Sequence, residues 1–419
     1  MKYTSIKGMN DLMPDEILLW QQIEATAKFV FGKFGYDEIK TPILEKTDLF
    51  VRGIGSDTAV VEKEMYTFKD VSEDMLSLRP EGTASAIRAY IEHEVYKQEP
   101  VARYIYIGPM FRRERPQKGR YRQFYQIGVE AIGVADPLVD AEQIAMLDHF
   151  FHKLGISGYN IEINSLGCKK CRPEYNKVFA NFLKKKQVNL CGDCQRRIAK
   201  NPLRAFDCKN PDCQEAMGDA PLIGTYLCDD CKAHFAAVQD GLNNLNTKFS
   251  VNYKIVRGLD YYTRTAFEFT TDKLGAQNAI AAGGRYDGLV KDLGGPDLSG
   301  VGFAIGIERI ILLIQTLGAA RKPRSDSIFF ALLGGPAHER AIPLIHNLRQ
   351  NGVRIELDYE EHSLKSQMRR ADKLSCRAVV IIGEEELKKN VAMVRNMETK
   401  EQKEIGLGDL ANYLMGLEV

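Results

Sequence analysis

Hydrophobic positions within residues 1–317 switch repeatedly between helical and strand spacing. Where apolar residues recur at every third or fourth position, the pattern predicts helices over Glu16–Phe34, Glu81–Tyr96, Asp140–Leu154, Glu174–Lys186, Ala233–Leu245 and Ile307–Leu317. Short apolar runs bounded by turn residues predict strands over Tyr36–Leu44, Met65–Phe68, Met75–Arg79, Val251–Val256, Ala266–Thr270 and Gly300–Ile305. Two more strands are predicted around a basic loop within Tyr104–Gly133. This order of elements predicts one strand-rich domain over 1–317.

Beyond residue 327 the pattern changes to short apolar strands that alternate with helices. The strands are predicted over Ile328–Leu333, Arg354–Leu357 and Ala378–Ile382, and the helices over Ala337–Asn351 and Ser363–Leu374. This alternation is typical of a small α/β domain with a parallel or mixed sheet, here 328–419. Residues 318–327 are polar and basic and contain a proline, so they are predicted as the linker.

Charge and hydropathy narrow the class of protein without identifying it. The 419 residues carry a formal net charge of +1 and are 44% hydrophobic, which gives no whole-chain signal for binding a polyanion. The N-terminus lacks the apolar core of a signal peptide, and no apolar run approaches the roughly 20 residues that span a bilayer. A cytoplasmic protein with no membrane contact is therefore expected.

Cysteines are concentrated in a helical stretch, 165–245, that interrupts the strands of the first domain as an insertion would. Eight of the nine fall there, in the pairs Cys168 with Cys171, Cys191 with Cys194, Cys208 with Cys213, and Cys228 with Cys231. In a reducing compartment such clustering favours metal over disulfides, and four thiolates suit one structural zinc ion. The pairs therefore fit one or two zinc sites. The alternative is a set of reduced, buried thiols, because cysteine packs well as a small hydrophobe.

The stretch Tyr104–Gly133 carries the strongest chemical signal. Gln126, Gly128 and Glu130 are spaced two apart, so they share one face of a predicted strand and suit a pocket floor better than a core. The loop before them is rich in cations, and guanidinium groups match phosphate and carboxylate oxygens in bidentate geometry. These cations are Arg112, Arg113, Arg115, Lys118, Arg120 and Arg122.

Four shorter motifs add to this signal. Glu81 and Thr83 in RPEGT precede a predicted helix, where capping of that helix is the alternative role. Val256–Thr263 combines an arginine, an acid and paired tyrosines. The glycines of Ala282–Gly288 permit close approach to a ligand or form a plain turn. Gly300–Ile310 alternates glycines along a strand but has neither the Walker nor the G-x-G-x-x-G spacing.

Together these motifs resemble the histidyl-tRNA synthetase family of class II aminoacyl-tRNA synthetases, over nearly the whole chain. FRRERPQKGRYRQFYQ (111–126) is similar to motif 2 of the class in its histidine-specific form, and GVGFAIGIERI (300–310) is similar to motif 3. VRGLDYYTRTAFEF (256–269) resembles a signature of the histidyl enzymes. Glu16–Leu44 with TPILEKTDLF resembles the weaker motif 1, which builds the dimer interface in the family.

The resemblance implies a fold and a reaction. The fold is an α+β catalytic domain built on the class II antiparallel sheet, with a helical Cys-rich insertion and a C-terminal α/β anticodon-binding domain. In the first step, ATP and L-histidine form histidyl-adenylate, and diphosphate is released. In the second step, the histidyl group passes to tRNA(His), and AMP is released. No enzyme nucleophile is needed, so catalysis is expected to rest on positioning and charge stabilisation.

The resemblance also implies roles for individual residues. Arg112 and Arg257 are implied as catalytic, on either side of the α-phosphate. Histidine is implied to bind Glu81, Gly82, Thr83, Arg112, Gln126, Glu130, Arg257, Tyr261, Tyr262 and Tyr286. ATP is implied to bind Arg112, Glu114, Arg120 and Arg309, with Mg²⁺ on its β- and γ-phosphates.

Contacts with macromolecules are a further expectation. Arg115 and Gln117, at the tip of the motif 2 loop, are the hypothesised contacts to the acceptor stem of the tRNA. The resemblance also implies a homodimer.

Two other functions are open at this point. One is the non-catalytic, synthetase-like regulatory subunit of ATP phosphoribosyltransferase, but such proteins typically lack the arginine set and the C-terminal domain. The other, read from the cysteines alone, is a zinc-dependent nucleic-acid-binding protein. That reading leaves the RPEGT, motif 2 and motif 3 stretches unexplained.

Overall fold

A mainly antiparallel sheet forms the centre of the first of two structural units, Met1–Ala320, and a second unit covers Arg321–Val419. The computed structural model describes residues 3–56, 58–275, 278–318 and 325–417. The described strands of unit 1 are β1 (Asp37–Glu38), β2 (Leu44–Lys46), β3 (Tyr66–Lys69), β4 (Met75–Leu78), β5 (Ala102–Phe111), β6 (Gln123–Ile132), β7 (Asn160–Ser165), β8 (Ser250–Val251), β9 (Thr263–Thr270), β10 (Ala279–Arg285) and β11 (Gly300–Gly306). Its described α-helices are α1 (Pro14–Gly32), α2 (Thr47–Ile54), α3 (Thr83–Glu92), α4 (Pro137–Lys153), α5 (Arg172–Lys185), α6 (Gly192–Lys200), α7 (Pro211–Ala216), α8 (Asp229–Asn244), α9 (Leu289–Asp292) and α10 (Ile307–Thr316).

The large sheet has the strand order β1-β5-β6-β11-β10-β9-β7-β8 among the described residues. The strands from β5 to β7 in this order pair antiparallel, whereas β1 and β8 join the two edges in parallel. A smaller sheet contains β2, β4 and β3. The register sets Glu130 of β6 opposite Gly302 of β11. A glycine therefore lies beside this carboxylate, at the centre of the sheet.

Helices α1, α4 and α8 contribute buried apolar side chains to the main core of unit 1. Phe31 of α1 packs against Phe150 of α4 and Phe303 of β11, with ring centroids 5.2 and 5.7 Å apart. Helix α4 begins where the sequence favours a start, since Asp136 caps it by accepting a hydrogen bond from the Leu138 amide at 2.9 Å. These helices hold one face of the large sheet. Its other face carries polar side chains.

The stretch between β7 and β8 forms a helical layer with its own core. Tyr175, Phe179 and Phe206 stack there, with the last two ring centroids 4.6 Å apart. Between α5 and α8 the chain has little regular structure beyond α6, α7 and short 3₁₀ turns. The predicted insertion 165–245 corresponds to this layer together with the end of β7.

Unit 2 contains a mixed sheet covered by helices. Its described strands are β12 (Ser325–Leu332), β13 (Ile355–Leu357), β14 (Cys376–Ile382), β15 (Val391–Asn396) and β16 (Gln402–Gly406), and its described helices are α11 (Gly335–Gln350), α12 (Leu364–Lys373), α13 (Glu384–Lys389) and α14 (Leu410–Met415). β13, β12 and β14 are parallel, and β15 and β16 continue the sheet antiparallel. Among the described helices of both units, none combines the length and the apolar character needed to cross a membrane.

Several element boundaries differ from the sequence-based predictions. The helix predicted over Glu81–Tyr96 ends at Glu92, because Glu94 adopts a left-handed φ of +50° and breaks the helical hydrogen bonding. The strand predicted over Val251–Val256 ends at Val251. Of the predicted linker 318–327, residues 319–324 lie outside the described residues, and Ser325 already belongs to β12.

The glycine-rich motif Ala282–Gly288 divides into a strand and a turn. Ala282–Arg285 forms the C-terminal half of β10, between β9 and β11, and Asp287 and Gly288 form a turn. A Cβ on Gly283 would lie 2.3 Å from the carbonyl oxygen of Gly302, so only glycine fits between these strands.

An ion pair without solvent exposure joins α4 to the end of β10. Arg285 and Asp140 are both 0% exposed, and the guanidinium group donates to both carboxylate oxygens, at 2.5 and 3.2 Å. Thr265 donates a further hydrogen bond to the same carboxylate at 2.5 Å. Removal of either partner would destabilise the fold, because the remaining charge would stay buried without compensation.

We expect Arg285→Met to lower the free energy of unfolding of unit 1 by about 3–5 kcal/mol, because Asp140 would lose its bidentate partner. Urea denaturation followed by circular dichroism measures this loss. The control is Lys291→Met, which breaks an exposed ion pair with Asp297 and should change stability little. Equal losses in the two variants would contradict the interpretation.

Candidate active site

A cavity of about 260 Å³ opens over strands β6, β10 and β11. Its other walls come from the start of α3, the β5–β6 loop, residues 257–262 and the start of α10. The polar side chains that line it are those of Glu81, Thr83, Tyr106, Arg112, Glu114, Arg120, Tyr121, Gln126, Arg257, Tyr261, Tyr262, Glu308 and Arg309. The antiparallel sheet thus brings together motifs that lie more than 200 residues apart in the chain, from Glu81 to Arg309.

A buried carboxylate lies directly behind one end of this cavity. Glu130 is 1% exposed and accepts hydrogen bonds from the hydroxyl groups of Thr83 at 2.7 Å, Tyr106 at 3.0 Å and Tyr286 at 2.8 Å. Burial raises the pKa of Glu130 to about 8, and the nearby Glu81 acts in the same direction. The hydroxyl donors oppose this shift, since each of them stabilises the charged form.

Glycines make the room that this network needs. A Cβ on Gly128 would lie 2.0 Å from the ring of Tyr106, and a Cβ on Gly302 would lie 1.9 Å from Oε2 of Glu130. Both positions therefore exclude any side chain. The alternating glycines of β6 and β11 accommodate a tyrosine ring and a carboxylate within the sheet.

Glu81 has a second set of contacts at the start of α3. Its carboxylate accepts hydrogen bonds from the amides of Thr83 at 2.8 Å and Ala84 at 2.9 Å, so it caps the helix. The Tyr261 hydroxyl lies 3.5 Å from Oε2 of Glu81. The capping role is therefore present, and the same side chain still lines the cavity.

The opposite part of the cavity is cationic. Arg112 directly follows the end of β5. Its Nε donates to the Pro80 carbonyl at 2.9 Å, and its guanidinium lies 5.3 Å from the Phe124 ring centroid. Arg257 pairs with Glu268 at 2.6 Å and lies 5.3 Å from the Tyr262 ring centroid. Both arginines are thus held by contacts that leave part of each guanidinium towards the cavity.

Further charged groups extend this wall. Arg309 donates to the Ala279 carbonyl at 2.6 Å, and Arg120 is paired with Glu114. Burial lowers the pKa of Arg309, and the neighbouring Arg120 and Arg112 lower it further. These arginines therefore concentrate positive charge where a polyanionic ligand would be stabilised.

Polar atoms without a protein partner also mark the site. Oε1 of Gln126 and Nε of Arg257 are both buried, and neither has a hydrogen-bond partner among the described residues. Gln126 faces the cavity from β6. An acceptor and a donor kept unsatisfied beside one cavity indicate a ligand that supplies both types of group.

The residues proposed from sequence occupy three positions relative to the cavity. Those that line it are Glu81, Thr83, Arg112, Glu114, Arg120, Gln126, Arg257, Tyr261, Tyr262 and Arg309. Gly82, Glu130 and Tyr286 do not line it; Glu130 and Tyr286 lie behind Thr83 and Tyr106, and Gly82 packs on the Tyr106 ring. Arg115 and Gln117 are exposed on the β5–β6 loop, where Gln117 forms a backbone bridge to Arg120.

Sequence reasoning did not assign a role in the site to Tyr106, Phe124 or Glu308. Tyr106 lies on β5 directly opposite Gly128, so the pairing of a glycine with an aromatic residue across two strands was the available signal. Glu308 accepts a hydrogen bond from the Tyr125 amide at 2.9 Å, and burial raises its pKa to about 7.

The paired cysteines form two clusters among the described residues. The first cysteine cluster contains Cys168, Cys171, Cys228 and Cys231, and the second cysteine cluster contains Cys191, Cys194, Cys208 and Cys213. Sulfur–sulfur distances of 3.7–3.9 Å exclude disulfides, whose bonds are about 2.05 Å long. A tetrahedral zinc ion with Zn–S bonds of about 2.3 Å places its sulfurs ~3.8 Å apart. Both clusters therefore fit such an ion.

The antiparallel sheet, with glycines and an arginine-lined cavity at its centre, defines a class II aminoacyl-tRNA synthetase fold. Family models described as "Histidyl-tRNA synthetase" and "Anticodon binding domain" match residues 8–310 and 329–417. The chain belongs to the histidyl-tRNA synthetase family.

Individual relatives agree over the whole length. The chain is 53% identical to the histidine–tRNA ligase of Geobacter metallireducens, over 97% of this chain and 98% of that one. It is 50% identical to that of Thermodesulfovibrio yellowstonii, over 99% and 98% of the two chains. The crystal structure of apo histidyl-tRNA synthetase from S. aureus superposes with a TM-score of 0.82 at 36% identity, covering 99% of this chain and 100% of that one. The fold class predicted from sequence is confirmed.

The raised pKa of Glu130 predicts a pH dependence of stability. Between its ordinary value of 4.5 and about 8, the unfolded chain has lost a proton that the folded chain retains, so stability falls as pH rises through this window. Glu130→Gln cannot ionise. We therefore expect the variant to gain stability relative to the original chain from pH 5 to pH 8, as measured by urea denaturation at several pH values. Parallel stability curves would contradict this assignment.

Proposed function

We propose that this chain joins L-histidine to tRNA(His) at the expense of ATP, through a histidyl-adenylate, with release of AMP and diphosphate. The observation that supports this most directly is the division of the cavity. Arg112, Arg257 and Arg309 line one part, while Glu81 and Gln126 line another, with Glu130 behind it. The first part suits a nucleotide phosphate, and the second suits a small cationic or donor-rich side chain.

The imidazole of histidine fits the acidic part of the cavity. As an imidazolium it presents two N–H donors, and even the neutral ring presents one donor and one acceptor. Glu130, through its hydrogen bonds to Thr83 and Tyr106, orients their hydroxyl groups at this end. Glu81, Gln126, Tyr261 and Tyr262 would complete the contacts. A site built of paired hydrogen bonds rejects analogues that lack them far better than an apolar slot does.

Arg112 and Arg257 would act on the reacting groups. The histidine carboxylate attacks the α-phosphorus of ATP and displaces diphosphate, so negative charge is concentrated between the two guanidinium groups. Because both side chains are already fixed by Pro80 and Glu268, they need little reorganisation during the reaction. Catalysis then consists of positioning and charge stabilisation, as in other transfers at phosphorus.

Arg309, Arg120 and Glu114 would hold the rest of the nucleotide, with Arg309 stacked on the adenine. Mg²⁺ accompanies ATP in class II synthetases generally. The nearby carboxylates of Glu114 and Glu268 are each paired with an arginine, so the ion would be held mainly through phosphate oxygens. Each cysteine cluster would hold a structural zinc ion.

The tRNA and a second copy of the chain complete the proposal. Arg115 and Gln117, both exposed on the β5–β6 loop, would contact the acceptor stem, and unit 2 would bind the anticodon. A purely regulatory role would leave the converging arginines without a purpose. The homodimer would use the apolar face of the small sheet, where Leu44 is 39% and Phe68 45% exposed.

We expect Arg257→Ala to lower kcat of histidine-dependent ATP–diphosphate exchange by about 10²–10³-fold, because charge at the α-phosphate would lose a preorganised partner. Glu130→Ala should instead raise the histidine KM by about 10–100-fold. Lys254→Ala, at an exposed lysine three residues from Arg257, is the control. Near-normal kcat in the first variant, or an unaltered histidine KM in the second, would reverse these assignments.

We expect Phe68→Glu to convert the dimer to a monomer, because a charge would replace an apolar contact in the interface. Light scattering after size-exclusion chromatography measures the mass. Val188→Glu, at a valine that is 90% exposed in another part of unit 1, should leave the dimer intact. A monomeric original chain would contradict the interface proposal.

A further inference from the structure

The insertion, 165–245, contacts the segment between β8 and β9 that carries Arg257, Tyr261 and Tyr262. This segment has no regular secondary structure between the end of β8 and the start of β9. Its backbone carbonyls are instead bound by side chains of the insertion. Arg172 donates to the Tyr262 carbonyl at 2.6 Å, and Arg204 donates to the Arg257 carbonyl at 2.8 Å.

Arg172 lies next to the first cysteine cluster. It directly follows Cys171 and opens α5, and its Nε also donates to the Leu166 carbonyl at 3.0 Å. The backbone beside the cluster pairs with β9 just after this segment, because Arg264 donates its amide to the Gly167 carbonyl at 2.9 Å. The cluster joins the start of α5 to the start of α8, so it links the beginning of the insertion to its last helix.

Arg204 lies within the second cysteine cluster's loop, in the 3₁₀ turn Pro202–Ala205 between Cys194 and Cys208. Arg197 of α6 holds this turn by donating to the Arg204 carbonyl at 2.8 Å. Asn201 makes a second contact with the segment, donating to Asp260 at 3.0 Å. The second cysteine cluster joins α6, before the turn, to α7, after it, and Leu203 and Ala205 pack the turn into the core of the insertion.

We propose that the two cysteine clusters bind zinc and thereby fix Arg172 and Arg204 as positioning residues for the 256–263 segment. The first cluster supports the Tyr262 end, and the second cluster supports the Arg257 end. This inference rests on the proposed function for what the segment does, but the support itself is independent of catalysis. Loss of the first contact should therefore weaken histidine binding, and loss of the second should slow adenylate formation.

Metal analysis of the purified full chain tests the first step. We expect two zinc ions per chain by inductively coupled plasma mass spectrometry, and one ion in each of the double variants Cys168→Ser/Cys228→Ser and Cys191→Ser/Cys208→Ser. Well under one zinc per original chain would overturn the proposal.

Arg172→Met and Arg204→Met test the second step without touching a cysteine. Both should keep two zinc ions, which shows that the insertion is still folded. In diphosphate exchange, Arg172→Met should raise the histidine KM about tenfold with kcat retained, and Arg204→Met should lower kcat about tenfold with the histidine KM retained. The lysine variants Arg172→Lys and Arg204→Lys should recover part of each loss. Unchanged kinetics in both methionine variants would overturn the proposal.

Hydrogen–deuterium exchange separates this inference from the proposed function. The amides of residues 256–264 should exchange faster in Arg172→Met and Arg204→Met than in the original chain. The controls Lys170→Ala and Arg196→Ala remove exposed cations beside Cys171 and Cys194, and should leave this protection unchanged. If the original chain lacked histidine-dependent exchange activity, the proposed function would fail while this readout remained. Unchanged protection in the methionine variants would overturn the support itself.

Discussion

The site depends on one buried carboxylate and the hydroxyl groups that it holds. Glu130 lies at the centre of the sheet and binds side chains from α3, β5 and the turn after β10, so separate parts of unit 1 meet at a single carboxyl group. Burial disfavours the ionised form of this carboxyl group, and the surrounding hydroxyl donors offset part of that cost. The position of Thr83 and Tyr106 at the cavity is thus tied to the position of Glu130.

The surrounding sheet is shaped to permit this arrangement. Gly128 and Gly302 leave space that any larger residue would fill, and the buried pair of Arg285 and Asp140 anchors the strand that leads to Tyr286. Acidic and cationic groups then occupy separate regions of one cavity. This separation supports the proposal that a single pocket accepts an amino acid and a nucleotide side by side.

Sequence reasoning predicted much of this organisation because its signals were local. The spacing of Gln126, Gly128 and Glu130 on one strand face, and the cations of the loop before them, are visible in consecutive residues. Tyr106 was missed because its role comes from pairing across strands with Gly128, which no local pattern records. The sequence left open whether Gly283 allows close approach of a ligand or belongs to a plain turn, whereas in the fold it lies within β10 and relieves a contact between central strands. Which cysteine pairs share a cluster could not be predicted from the sequence, since Cys168 and Cys228 come together only when α5 and α8 begin side by side.

The proposed recognition of both imidazole nitrogens of histidine by the acidic part of the cavity can be measured directly on the unsubstituted chain. Isothermal titration calorimetry would compare the binding of L-histidine with that of histidine methylated on one or the other ring nitrogen. If both nitrogens are recognised, each methyl group should weaken binding by at least about tenfold, because a hydrogen bond to a charged or polar partner is lost inside a buried pocket. Methylated histidines that bind as tightly as histidine would contradict it.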